Sequence, residues 1–134
     1  MSNNHALTLD ESIRVLDSGL ASAREQGLAV TVAIVDGGGH LLALKRMDEV
    51  GPAASMTATA KARTAAWFRR PTATLAEAVA AGRAGLLALP DALPLAGGLP
   101  LVRNGHVVGA VGVGGATPEQ DAAIAAAALA GMSA

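Results

Sequence analysis

The stretch LVRNGHVVGAVGVGGATPEQD, Leu101 to Asp121, carries three structural signals in series. Asn104-Gly105 is a hairpin turn, because both residues tolerate the left-handed backbone that a type I′ turn requires. The apolar segment from His106 to Val113 is the returning strand, paired with Leu99 to Arg103 before the turn. After Gly114-Gly115, Thr117-Pro118-Glu119-Gln120 opens a helix, with Thr117 as its cap, Pro118 in its first position and Gln120 completing a capping box. A hairpin leading directly into a helix marks an antiparallel sheet covered by helices, an α+β layer fold.

The rest of the chain extends that pattern outward. Thr8-Leu9-Asp10-Glu11 is another capping box, and Leu9, Ile13, Leu16 and Leu20 follow at helical spacing, predicting a first helix over residues 9–25. LAVTVAIV, residues 28–35, is apolar on both parities and rich in β-branched residues, as a strand covered on both faces would be. Asp36-Gly37-Gly38-Gly39 reverses the chain, and HLLALKRM returns as a second strand. Ala53 to Arg70 contains no Gly or Pro and reads as a helix ending at Arg-Arg-Pro; a shorter helix follows over residues 73–82. Residues 83–98 are apolar but broken by Pro90 and Pro94, and read as a partly buried loop with one short strand. No linker or repeat divides residues 1–134, which read as one domain with residues 1–7 disordered.

Composition narrows the function. A formal charge of −1 and a pI near 6.3 lack the basic excess of a general nucleic-acid binder, and Trp67 and Phe68 are the sole aromatic residues available for base stacking. The absence of cysteine removes disulfides, thiolate metal sites and a cysteine nucleophile. No apolar run reaches the roughly 18 residues of a membrane span, and the first residues lack a signal-peptide pattern, so a cytoplasmic protein is expected. No histidine pair has metal-ligand spacing, and no metal site is expected.

The chemistry left open is anion binding. Gly114 and Gly115 allow close backbone approach, and the helix start beyond them offers free amides and a positive dipole end, a seat for a carboxylate or phosphate. On the helix beginning near Ala53, Thr57, Lys61, Thr64 and Phe68 share one face, a cation flanked by hydroxyls; Ser55, Thr59 and Arg63 form a competing polar face. Glu119 and Asp121 complement the last helix's dipole and are the candidate proton carriers.

Three stretches together resemble a known family: VAIVDGGGHLLALKRMD (32–48), SMTATAKARTAAWFRRPT (55–72) and LPLAGGLPLVRNGHVVGAVGVGGATPEQD (93–121). They are similar to the GlcG-like, haem-binding-protein-like family, which also occurs as the C-terminal domain of PduO-type cobalamin adenosyltransferases. The resemblance implies a profilin-like three-layer α/β/α domain with a mostly antiparallel central sheet, assembled as a dimer, tetramer or octamer. It further implies small-molecule binding near subunit contacts, with haem among the family's ligands; joined to the anion seat read from the residues, the expected ligand is anionic. Carried onto this chain, it matches Asp36, Gly39 and Asp48 in the hairpin, Lys61 and Thr64 in the helix, and Gly114, Gly115, Glu119, Gln120 and Asp121 in the terminal motif. With Thr57 added from the helix face, Asp36, Gly39, Thr57, Lys61, Thr64, Gly114, Gly115 and Gln120 are the ligand-binding candidates, and Lys61, Glu119 and Asp121 the catalytic ones if the chain is an enzyme. Two other roles stay open beside binding: a cofactor-independent lyase or isomerase acting on a small carboxylate or hydroxylamino-aromatic metabolite, and a structural assembly partner.

Overall fold

The computed structural model describes residues 6–133, so the expectation for the first residues falls partly outside it; within it, Leu7 is buried in the core. Among these residues the order is α1 (Leu9–Glu25), β1 (Thr31–Asp36), β2 (Leu41–Arg46), α2 (Ala54–Phe68), α3 (Thr72–Ala80), a 3-10 turn (Ala84–Ala88), β3 (Gly98–Arg103), β4 (His106–Gly114), α4 (Pro118–Ala128) and a closing 3-10 turn (Leu129–Ser133). The four strands form one antiparallel sheet in the order β2-β1-β4-β3. Residues 83–97 contain no strand: they hold the 3-10 turn and irregular chain, because Pro90 and Pro94 interrupt any ladder that could form there.

Both long helices announced by capping boxes start where expected. Thr8 Oγ1 accepts from the Glu11 amide at 3.1 Å while Glu11 Oε1 accepts from the Thr8 amide at 3.1 Å. Thr117 and Gln120 repeat the exchange at the start of α4, at 3.2 and 3.1 Å. Each such box satisfies two amides that a helix start otherwise leaves to solvent.

The sheet is sandwiched between two unlike helical layers. On one face, Val30, Val32 and Ile34 of the β1 segment and Val111 and Val113 of β4 meet Val15, Leu16 and Leu20 of α1 and Ile124 of α4. This is the main core, and each fully buried aliphatic side chain contributes about 1.5–3 kcal/mol. On the other face, Val35 and Ala110 meet Ala62, Ala65 and Ala66 of α2. The alternation along β4 explains the asymmetry. Val111 and Val113 point to the α1–α4 layer, and the small residues Ala110, Gly112 and Gly114 point to α2. A Cβ on Gly112 would collide with the Ala58 carbonyl oxygen, and one on Gly98 with the Lys61 carbonyl. The glycines bring α2 down onto the sheet until backbone meets backbone.

Candidate functional site

Lys61 leaves α2 from its buried face and passes the edge of the sheet beside Gly97, where an added Cβ would lie 3.0 Å from Lys61 Cδ and 3.0 Å from Asp121 Cβ. Gly97 stands at φ +129°, a conformation open to glycine. Beyond it, Lys61 Nζ donates to Asp121 Oδ2 at 2.9 Å and to the Val113 carbonyl at 3.0 Å. The side chains of Lys61 and Asp121 are 4% and 2% exposed. Asp121 Oδ1 in turn accepts from the Ala116 amide at 3.0 Å. The turn after β4 thus holds an anion, and that anion is the chain's own Asp121. The pair joins α2 on one face of the sheet to α4 on the other.

The remaining residues of the expected site are distributed. Thr57 returns its hydroxyl to the Ala54 carbonyl at 3.2 Å. Thr64, fully buried, donates to the Ala60 carbonyl at 2.7 Å and accepts from the Leu93 amide at 2.8 Å, tying the 83–97 segment to α2. The Lys61–Thr64 face is therefore the buried face, and Ser55, Thr59 and Arg63 lie on the half-buried side. Gln120 caps α4, and Glu119 is exposed. Gly114 is buried under α2, while Gly115 lines a shallow recess of ≈ 270 Å³ together with Thr57 and the start of α2.

Asp36 and Gly39 lie at the far end of the sheet from the Lys61–Asp121 pair. Asp36 Oδ1 accepts from the amides of Gly38 and His40, both at 2.9 Å, and meets His40 Nδ1 at 3.2 Å. Burial raises the Asp36 pKa, but these two amides and the His40 ring outweigh it and hold the carboxyl below its ordinary value. Gly39, at φ +90°, gives room to Trp67, whose Nε1 donates to the Gly38 carbonyl at 2.9 Å. Arg63 lies over the Trp67 ring, 5.3 Å from its centroid, and donates to the Asp91 carbonyl at 3.1 and 2.8 Å.

Two larger recesses lie at opposite ends of the sheet. One, of ≈ 620 Å³, runs between α3 and the start of α4, walled by Ala73, Ala76, Leu95 and Ala122, with Glu77 and Glu119 as its charged residues. The other, of ≈ 370 Å³, is formed by Ala6, Gly37, Arg69, His106, Val107 and Val108. Of their lining residues, Glu119 is among the candidates read from the sequence. His106 read as a hairpin end, and the Arg69 backbone carries no signal in the letters beyond its position before Arg70-Pro71.

The chain matches the family model for HbpS-like haem-degrading proteins over residues 7–130. It is 44% identical to the protein GlcG of Escherichia coli strain K12 over 99 residues, which cover 74% of each chain. Among solved structures, a double mutant of HbpS from Streptomyces reticuli superposes with a TM-score of 0.89 at 34% identity, covering 97% of this chain and 89% of that one. A PduOC haem complex gives a TM-score of 0.87 at 27% identity, covering 95% of both chains. With nearly its whole length matched by the family model and its three-layer α+β fold shared with these structures, the chain belongs to the HbpS-like family.

Proposed function

We propose that this chain is a small-molecule-binding protein and that the recess between α3 and α4 receives the apolar body of its ligand. The observation that carries this reading is the recess itself: ≈ 620 Å³ walled chiefly by alanines, Leu95 and Pro118. That volume lies in the range of about 300–1,000 Å³ typical of small-molecule sites. The Lys61–Asp121 pair stiffens its base, because Gly97 and Asp121 adjoin the lining residues Ala96 and Ala122.

Haem is the ligand that the PduOC complex brings into question. A held haem needs an apolar slot, an axial donor and cations for its propionates. The α3–α4 recess supplies the slot alone; its side chains include no nitrogen or sulfur donor, and Glu77 and Glu119 repel propionates. The smaller recess has an imidazole and a guanidinium but only Ala6, Val107 and Val108 as apolar side chains. Neither recess combines all three requirements, so the residues lining them do not fit an enclosed, iron-ligated haem. For the same reason, the α3–α4 recess favours an uncharged ligand body over the anion expected from the sequence.

An enzymatic role for Lys61, Glu119 and Asp121 would require the closed Lys61–Asp121 pair to open, and its geometry favours a structural role instead. Self-association stands as a second reading for the same face. Leu95, 42% exposed, lines the recess, and Leu87, 63% exposed, lies in the 3-10 turn that follows α3; a second copy of the chain would cover them.

Titration with the uncharged fluorophore N-phenyl-1-naphthylamine tests the reading. Saturable binding at one site per chain is expected, lost in Ala76→Trp without a fall in Tm. Binding that survives Ala76→Trp would overturn the site. A sharp low-spin Soret band at one haemin per chain would overturn the exclusion of ligated haem.

A further inference from the structure

The second recess lies at the opposite end of the sheet from the α3–α4 recess, where α2 ends and β4 begins. Two basic residues from different elements line it, Arg69 after α2 and His106 at the first position of β4. Neither side chain has a hydrogen bond or ion pair among the described residues. No carboxylate lines the recess, and the nearest in sequence, Asp36, is turned into its own reversal by the amides of Gly38 and His40.

The Arg69 backbone sharpens the case. It closes α2 at φ 56° and ψ 39°, the left-handed position that helix ends ordinarily give to glycine. An L side chain there is disfavoured by contact of Cβ with the following carbonyl oxygen. An arginine after a helix also complements the dipole, but Arg70 stands beside it and already donates from Nε to the Phe68 carbonyl at 3.3 Å. The chain therefore holds a strained arginine where glycine would turn as well, and this arginine lines a recess that His106 also lines.

We infer that Arg69 and His106 form a binding site for a small carboxylate with a short apolar portion. The guanidinium fork matches a carboxylate in two parallel hydrogen bonds, and the imidazole adds a third contact. Val107, Val108 and Ala6 supply the apolar contact, and ≈ 370 Å³ is ample for a short-chain carboxylate. The inference is independent of the reading of the α3–α4 recess, since the two share no residue.

The test is a titration of the full-length chain with butyrate, and separately with inorganic phosphate, at constant ionic strength. It is followed by the amide resonances of Gly37, Arg69 and Val107 and by the fluorescence of Trp67. Trp67 is the single tryptophan of the chain, and its Nε1 is bonded to the carbonyl of Gly38, the residue after Gly37. Butyrate should shift those amides saturably. Arg69→Gly should weaken butyrate at least tenfold while keeping or raising the Tm, because glycine relieves the left-handed backbone. His106→Ala, which leaves α2 untouched, should weaken it several-fold. Unchanged affinity in Arg69→Gly would overturn the site, as would a fall in Tm with binding retained. Saturation by phosphate but not by butyrate would overturn the ligand class.

Discussion

Lys61 shows how one residue type carries opposite meanings on the two faces of a helix. Its ammonium is buried and held by Asp121 and the Val113 carbonyl, so it reads as a strut between layers. Removing the lysine alone strands the Asp121 carboxylate, leaving the Ala116 amide as its remaining partner. Breaking one half of a buried pair costs about 3–5 kcal/mol, whereas replacing both halves by apolar residues is often neutral. Lys61→Met should therefore lower unfolding stability by that amount in urea titrations, and Lys61→Met with Asp121→Leu should recover most of it. A double variant no more stable than the single would show that the pair is not the strut. The helical spacing of Thr57, Lys61 and Thr64 was legible in the letters. Which face was dry was not, because alanines fill α2 on every side and give its periodicity no contrast.

At the scale of elements, α2 and β4 are fitted to each other through missing side chains. Gly112 lies under the Ala58 carbonyl and the Ala62 amide, and Gly98 lies under the Lys61 carbonyl. Gly112→Ala must lift α2 off the sheet or bend the strand, and overpacking of this kind typically costs about 1–3 kcal/mol. Gly51→Ala is the control, since an added Cβ there meets nothing within 4 Å. Thermal unfolding should show a marked fall in Tm for the first and little change for the second; equal effects would refute close packing as the reason for the glycine. The signal for this was present in the sequence as alternation, Ala110, Gly112 and Gly114 against Val111 and Val113. Read locally, the same glycines suggested a turn and a ligand seat, because the helix they admit lies some 50 residues earlier in the chain. Strands, helix starts and hairpin turns were legible because capping boxes and Asn-Gly act within a few residues. Contacts across the sheet do not. The two recesses escaped for the same reason, since each joins segments distant in sequence.

For the molecule as a whole, the consequence is that its two helical layers are not independent. α1 and α4 close an aliphatic core on one face, and α2 rests on a thin layer of alanine and glycine on the other. An alanine interface buries little apolar area per residue, so α2 would be the easier layer to detach. The Lys61–Asp121 pair ties it to α4, with Val113 of the central strand β4 bonded in the same cluster. If the layers opened separately, Lys61→Met would speed amide exchange in α2 and leave α4 at its original protection. If the strap couples them, protection in α2 and α4 should fall together, while the interiors of β1 and β4, central in the sheet and covered on both faces, should keep exchanging only through global unfolding. Residue-resolved hydrogen exchange on the full-length variant distinguishes the two. Loss of protection confined to α2 would show that the strap stabilises its own helix without coupling the layers.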